Sequence, residues 1–342
     1  METLISLYRN LYGKVPAHTE AITGSGSNRA YYRFSNNEGE SVIACRGTSV
    51  HENHAFITLS RHFASKGLPV PAIFATDPTE ECYIQEDVGQ CSLFEALHSG
   101  RTSGGIYSSE ELTLVKRAMQ LLPHVQVEGA RGLDFSVCHP VPAFDRTGIL
   151  FDLNYFKYCF LKTTSVEFDE YRLEQDFQDF ATDLLSQGEA ITQQPTFMYR
   201  DFQARNIILD NANRLHLIDY QGGRRGPLQY DVVSFLWQAS SRFPDSVREE
   251  CIDIYADELS LLIGLGKAEV VKKIHETLPL FVLFRLLQVL GAYGFRGRYE
   301  RKQHFLDSIP PALDNLQHII PSCPYPYLHD TCLQFFIQER HT

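Results

Sequence analysis

Three oxygen-bearing side chains, Asp201, Asn206 and Asp219, fall inside one short stretch, "MYRDFQARNIILDNANRLHLIDYQGG", residues 198–223. "NIIL" and "RLHLI" read as short strands, and the Asx-rich "DNAN" between them reads as a turn. An antiparallel hairpin brings the entry of its first strand and the exit of its second to the same end. Asn206 sits at that entry, Asp219 at that exit, and Asp201 in the loop feeding the hairpin. All three therefore face one region. The arrangement suits phosphoryl transfer. Mg²⁺ takes hard oxygen ligands, few of them from protein, so Asn206 and Asp219 are the expected metal ligands. A separate carboxylate, Asp201, is the expected base that accepts the proton of an attacking hydroxyl. Arg205, beside the site, is the expected contact to acceptor or phosphate.

The spacing matches the template H-R-D-x-x-x-x-N followed later by a metal-binding Asp. Here it reads Tyr199-Arg200-Asp201, four residues, Asn206, then Asp219, with Tyr199 where the template has His. "GPLQYDVVSFLWQ" follows, and Asp231 opens a helix whose Val232, Val233, Phe235 and Leu236 face inward; its expected role is structural, as a cap or a buried acid pinning the loop. Only 12 positions separate Asp219 from Asp231. That leaves little room for a long activation segment, so a small-molecule acceptor fits better than a protein.

Positioning such a site takes a frame. Residues 1–20 read as an amphipathic helix with Leu4, Leu7, Tyr8 and Leu11 on one face. "ITGSGSNRAYYRFSNNEGESVIACRG" reads as three strands joined by a Gly-rich and a polar turn. The first turn, Gly24, Ser25, Gly26 and Ser27, could lay backbone amides over phosphates. It lacks the third glycine of G-x-G-x-x-G, and no Gly-Lys-Ser/Thr follows. The strand "SVIAC" carries no lysine, so Arg33 or Arg46 is expected to meet the phosphates, although arginine and lysine are not equivalent. Glu52, in the helix that follows, is the expected ion-pair partner. From about Ser92 the periodicity turns helical. The expected class is α+β and bilobal: a small β-rich N-lobe at 1–89 that binds nucleotide, and a larger, mainly helical C-lobe at 90–342 with the catalytic loop and acceptor site.

Composition narrows the function further. Of 342 residues, 44% are hydrophobic and 21% charged, and the net charge is −11. A general binder of nucleic acid or anionic membrane would be basic, so neither is an expected partner. The N-terminus has no apolar signal core. The most apolar stretch, "LPLFVLFRLLQVLGAYGF", is interrupted by Pro279, Arg285 and Gln288 and reads as a buried helix rather than a span. Eight cysteines lie singly with no CxxC spacing, as expected of free thiols in a reducing cytoplasm.

With these residues in view, the chain resembles the aminoglycoside phosphotransferase/choline kinase superfamily over nearly its whole length. "GSGSNRAYYRF", "KGLPVPAIFA", "EDVG", "YRDFQARNIIL" and "LIDYQGGRRGPLQYDVVSFL" are most similar to bacterial N-acetylmuramate/N-acetylglucosamine anomeric sugar kinases of cell-wall recycling. The resemblance implies a bilobal protein-kinase-like fold, ATP and Mg²⁺. It also implies Asp201 as base, Asn206 and Asp219 as metal ligands, and the backbone of Glu86–Val88 as the segment against adenine. Those kinases also lack an evident third-strand lysine. Asp152 and Asn154 are candidates for sugar hydroxyls, and Arg224 and Arg225 for phosphate or a substrate carboxylate. The alternatives are an aminoglycoside- or choline-type phosphotransferase, and a nucleotide-binding regulator without catalysis.

Overall fold

A computed structural model describes residues 1–22 and 29–339. The expected Gly-rich turn, Gly24, Ser25, Gly26 and Ser27, lies outside the described residues. Contacts divide the chain into two compact units. The first joins Met1–Ala96, Glu128–Pro142 and Tyr199–Arg224; the second joins Leu97–Val127, Ala143–Met198 and Arg225–Thr342. The N-terminal region is a β-sheet and the C-terminal region is mainly helical, the bilobal α+β class expected.

In the first unit, helix α1 (Glu2–Tyr12) ends at Gly13, whose φ of 70° supplies the left-handed cap, and not at residue 20. A glycine there closes the helix because it alone takes that backbone cheaply. Strands β1 (His18–Ile22), β2 (Ala30–Ser35) and β3 (Ser41–Arg46) follow. Helix α2 (Val50–Ser65) then leads to β4 (Ile73–Thr76) and β5 (Cys82–Glu86). The sheet is antiparallel with order β1-β2-β3-β5-β4.

Register decides which side chains share a face. Tyr31 opposes Cys45, Arg33 opposes Ile43, and Cys45 opposes Tyr83. The alternate residues Tyr32, Phe34, Val42, Ala44, Cys82 and Ile84 form the other face and pack with Leu4 and Tyr8 of α1. The Tyr31 face meets α2, where Phe56 lies 5.3 Å from Tyr83. Burying an aromatic side chain of this kind contributes about 1.5–3 kcal/mol, so the two helices hold the sheet from both sides.

A second, three-stranded sheet in the same unit joins β6 (Cys91–Ser92) to the strands Ile207–Leu209 and Leu215–Leu217. The last two are the hairpin expected from the sequence. Ser92 opens the short helix α3 (Leu93–Ala96) with a reciprocal cap: Glu95 N donates to Ser92 Oγ at 3.2 Å, and Ser92 N donates to Glu95 Oε2 at 2.8 Å.

The second unit is built on the apolar helix Lys267–Tyr293. By length and composition Lys267–Tyr299 could cross a membrane, with mean hydropathy 1.6 over an 18-residue window, but 72% of that window is buried inside the protein. Its polar residues are satisfied there: Arg285 Nη1 donates to Tyr230 Oη at 2.9 Å, and Gln288 Nε2 donates to Asp152. Gly291 lets it press on the helix Arg146–Cys159, since an added Cβ would meet Phe156 N at 2.7 Å. Asp231, fully buried in the helix Leu228–Leu236, accepts from Gln126 Nε2 at 3.0 Å.

Candidate active site

All three oxygen-bearing residues belong to the first unit, on the segment Tyr199–Arg224. The loop is tied internally before any ligand arrives. Asn206 Nδ2 donates to the main-chain carbonyl of Asp201 at 2.8 Å, and Asn206 N donates to Gln203 O at 2.9 Å. Ile218 N donates to Asn206 O at 3.0 Å, which joins the entry of the hairpin to its exit. Tyr199, in the place of the template histidine, is buried; its hydroxyl donates to the carbonyl of Ile218, next to Asp219. Its ring stands edge-on to Phe202 and Tyr220. Tyr220 in turn stacks on Phe56 of α2 at 5.2 Å and shares a 2.6 Å hydrogen bond with Ser60.

Two residues of this segment carry backbone strain. Arg200 has φ 74° and Asp219 has φ 67°, the left-handed region that non-glycine residues seldom adopt. Such conformations cost on the order of 1–3 kcal/mol and persist where surrounding contacts over-determine them. Here the Tyr199–Ile218 hydrogen bond and the packing of Tyr220 supply those contacts.

Asp219 is exposed to solvent, although protein crowds its carboxyl. Burial raises its carboxyl above the usual range, and the charge of Asp201 adds to that, while a hydrogen bond from Gln221 opposes it. Gly222 borders Asp201, because an added Cβ would stand 4.0 Å from Asp201 Oδ2. Converging carboxylates are costly to hold ionised side by side, and a divalent cation offsets that cost. Among the described residues no group of three or more His, Cys, Asp or Glu could hold a metal. Asn206 and Asp219 are instead a sparse, hard-oxygen pair. That donor set fits Mg²⁺, which keeps waters and phosphate oxygens as its other ligands.

The structure corrects the expected ion pair. Glu52 does not pair with Arg33 or Arg46; its cation is Arg29, with Nη2 to Oε1 at 3.1 Å. Arg33 is held instead by Asp87, at 2.6 and 3.2 Å, and by Glu20 at 3.6 Å. Arg46 falls on the face of Val42 and Ala44, turned from the Tyr31 face that meets α2, because side chains alternate along a strand. Arg29 precedes β2 and is buried. Its Nε donates to Asn53 Oδ1 at 3.2 Å, and Asn53 Nδ2 donates to the carbonyls of Gly47 and Glu80 at 2.9 and 2.8 Å. No motif or spacing in the sequence singles out Arg29. Its signal was parity: Arg29, Tyr31 and Arg33 alternate onto one face.

Other expected residues are placed as follows. Glu86 ends β5, and its Oε2 accepts from Ala72 N at 3.1 Å. Val88 is buried, and Gly89 beyond it has φ 120° and approaches Leu209 so closely that a Cβ would lie 2.9 Å from its carbonyl oxygen. Arg205 is exposed, and its guanidinium lies 4.2 Å over the Phe94 ring. Arg224 is buried and donates to Gly222 O at 3.1 Å, so it clamps the turn after Asp219. Arg225 is exposed. Asn154 Nδ2 donates to Leu150 O within its own helix.

A small antiparallel sheet with a mainly helical partner region, and an Asp–Asn–Asp loop and hairpin, define the class: a kinase-like phosphotransferase enzyme. A family model described as the phosphotransferase enzyme family, APH, matches residues 18–263, and the chain belongs to that family. It is 22% identical over 301 residues to the N-acetylmuramate/N-acetylglucosamine kinase of Pseudomonas aeruginosa, covering 87% of this chain and 83% of that protein. It is 21% identical over 294 residues to the Neisseria meningitidis kinase of the same name, covering 85% and 82%. Among solved structures it is similar to a gentamicin complex of APH(2")-IIa, with TM-score 0.57, 14% identity, and 90% and 95% of the two chains covered. It is also similar to the choline kinase LicA from Streptococcus pneumoniae, with TM-score 0.54, 12% identity, and 93% and 98% covered. An ADP-bound APH(2'')-Ib matches at TM-score 0.55 and 15% identity, over 92% and 98%.

Proposed function

We propose that this phosphotransferase is an ATP-dependent, Mg²⁺-using kinase for the anomeric hydroxyl of an amino sugar such as N-acetylmuramate or N-acetylglucosamine. The curated relatives that span most of the chain and act as named on those two sugars support the acceptor class. The observation that carries the chemistry is the convergence of Asp201 and Asp219 on one segment, with Asn206 tied to the Asp201 main chain. In this reading residues 1–89 carry the nucleotide, with Glu86–Val88 against adenine, and 90–342 supply the catalytic loop and acceptor site. Asp201 accepts the hydroxyl proton as the acceptor oxygen bonds to the γ-phosphorus of ATP and the bond from that phosphorus to the bridging oxygen breaks, releasing ADP. Asn206 and Asp219 would hold Mg²⁺, which would neutralise charge on the transferring phosphoryl group. Arg29, rather than Arg33 or Arg46, takes the place of the missing lysine as the charge that holds Glu52. The reading places the enzyme in the cytoplasm, at the reuse of cell-wall sugars.

The test is ADP release from Mg·ATP across N-acetylmuramate, N-acetylglucosamine, other hexoses, choline and kanamycin. Turnover with an N-acetyl sugar, abolished in Asp201→Asn, is the expected result. Turnover with choline or kanamycin alone overturns the sugar assignment. ADP release that no acceptor stimulates, and that Asp201→Asn leaves unchanged, favours a regulator.

A further inference from the structure

Four aromatic rings form a continuous row on the second unit. Phe151 stacks on Tyr155 at 6.1 Å, Tyr155 meets Phe295 at 5.9 Å, and Phe295 stacks on Tyr299 at 5.3 Å. The end rings are open to solvent, Phe151 at 68% exposure and Tyr299 at 76%, and the inner rings brace them. The row joins the helix Arg146–Cys159 to a π-helical turn, Gly294–Tyr299. Two glycines seat that turn: a Cβ on Gly294 would collide with the Cys159 carbonyl, and one on Gly297 would lie 2.9 Å from Leu306. Such turns are rare and concentrate at functional sites, and contiguous apolar surface left outside a core marks a binding surface. The same turn is basic. Arg296, Arg298, Arg301 and Lys302 lie within seven residues against one acid, Glu300, in a chain of net charge −11. Arg296 and Lys302 share Glu300 at 3.0 and 2.9 Å, and Arg301 is exposed. Burial holds the Tyr155 hydroxyl above its usual range, and Arg296 is near enough to oppose that.

We propose that this surface binds an N-acetyl amino sugar that carries a carboxylate, with Tyr299 stacked on the sugar ring and Arg296 and Arg301 on the anion. The ligand class rests on the amino-sugar reading above. A pyranose turns C–H bonds to one face, which suits the electron-rich face of an aromatic ring. A guanidinium pairs with a carboxylate through two parallel hydrogen bonds. A polyanion is a poorer occupant, because the net charge of −11 repels it, whereas a single carboxylate needs only the local cations. N-acetylmuramate carries that carboxylate on its lactyl ether and N-acetylglucosamine does not, so the surface distinguishes the two sugars.

The experiment titrates each sugar into the full chain without nucleotide, followed by NMR, for wild type, Tyr299→Ala and the double variant Arg296→Gln, Arg301→Gln. Circular dichroism checks folding, and ADP release with each sugar is measured in parallel. The wild type is expected to bind N-acetylmuramate more tightly than N-acetylglucosamine, with a preference that falls as salt rises. Tyr299→Ala should weaken both sugars by roughly three- to tenfold, as for a lost aromatic stack. The double arginine variant should weaken N-acetylmuramate alone, by about tenfold or more, as for a lost charge-assisted hydrogen bond. Dissociation constants within about twofold of wild type in folded variants overturn the inference, and ADP release with either sugar then leaves the kinase reading intact. If the arginine variant does not fold, Tyr299→Ala and the salt dependence decide. A wild type that binds neither sugar overturns the inference; one that also phosphorylates neither overturns the amino-sugar reading with it.

Discussion

Replacing Asp201 with Asn removes a charge and a proton acceptor while keeping shape. The structure separates the two consequences. The hydrogen bond that holds the loop runs from Asn206 Nδ2 to the main-chain carbonyl of Asp201, so it survives the change. The lost charge is one that repels Asp219, so its removal does not weaken the fold. Stability should therefore stay within about 0.5 kcal/mol, as for substitutions away from packing and caps. Turnover should not. A positioned general base contributes roughly 10²–10⁴-fold, or about 2.7–5.4 kcal/mol at 1.36 kcal/mol per decade. The assay is a coupled measurement of ADP release with saturating acceptor, beside thermal melting and ADP binding. The expected outcome is kcat lower by roughly 10²–10⁴ with nucleotide affinity retained. A kcat within about tenfold of wild type, below the range for a lost base, refutes the base assignment. A collapse of both turnover and melting temperature refutes the claim that the loop is held through its main chain.

Three further outcomes follow from the geometry. Tyr199→Phe leaves the Ile218 carbonyl without its hydroxyl donor; it should cost about 1–3 kcal/mol and lower kcat, seen by denaturant titration and turnover. Gly89→Ala forces a Cβ to 2.9 Å from the Leu209 carbonyl oxygen at φ 120°. It should destabilise by about 1–3 kcal/mol and raise the KM for ATP more than it changes kcat. The third concerns acid. Burial works against ionised Asp87, yet hydrogen bonds from Arg33 and Ser41 hold its carboxyl below the usual range. A depressed folded value gives stability that is present above the unfolded carboxylate value and lost as pH falls through the folded one. Arg33→Met should therefore lower melting temperature at pH 7 and narrow the gap between pH 7 and pH 3; an unchanged gap counts against the pair.

The loop and its hairpin were legible in the sequence because their information is local. A turn-rich "DNAN" between two apolar strands can close only one way, and closure alone gathers Asp201, Asn206 and Asp219. The β-rich N-terminal and helical C-terminal regions were legible for the same reason, since period-2 and helical patterns report nearest neighbours; that Tyr199–Arg224 joins the first compact unit was not. The length of α1 was over-read, because a repeating apolar face does not announce where Gly13 ends the helix. The cation for Glu52 was misread for another reason. Arg29, Arg33 and Arg46 are equivalent as composition, and only strand register decides which of them meets α2. Antiparallel pairing sends Arg46 to the α1 face and gives Arg33 to Asp87, so Arg29 is left for Glu52. Likewise Gln221 and Glu52 lie 169 positions apart and meet only because Tyr220 packs against Phe56 and Ser60 of α2. Sequence determined which polar groups share the hairpin loop; long-range packing decided which charges surround them, because an ion pair is set by a distance in space that no local spacing encodes.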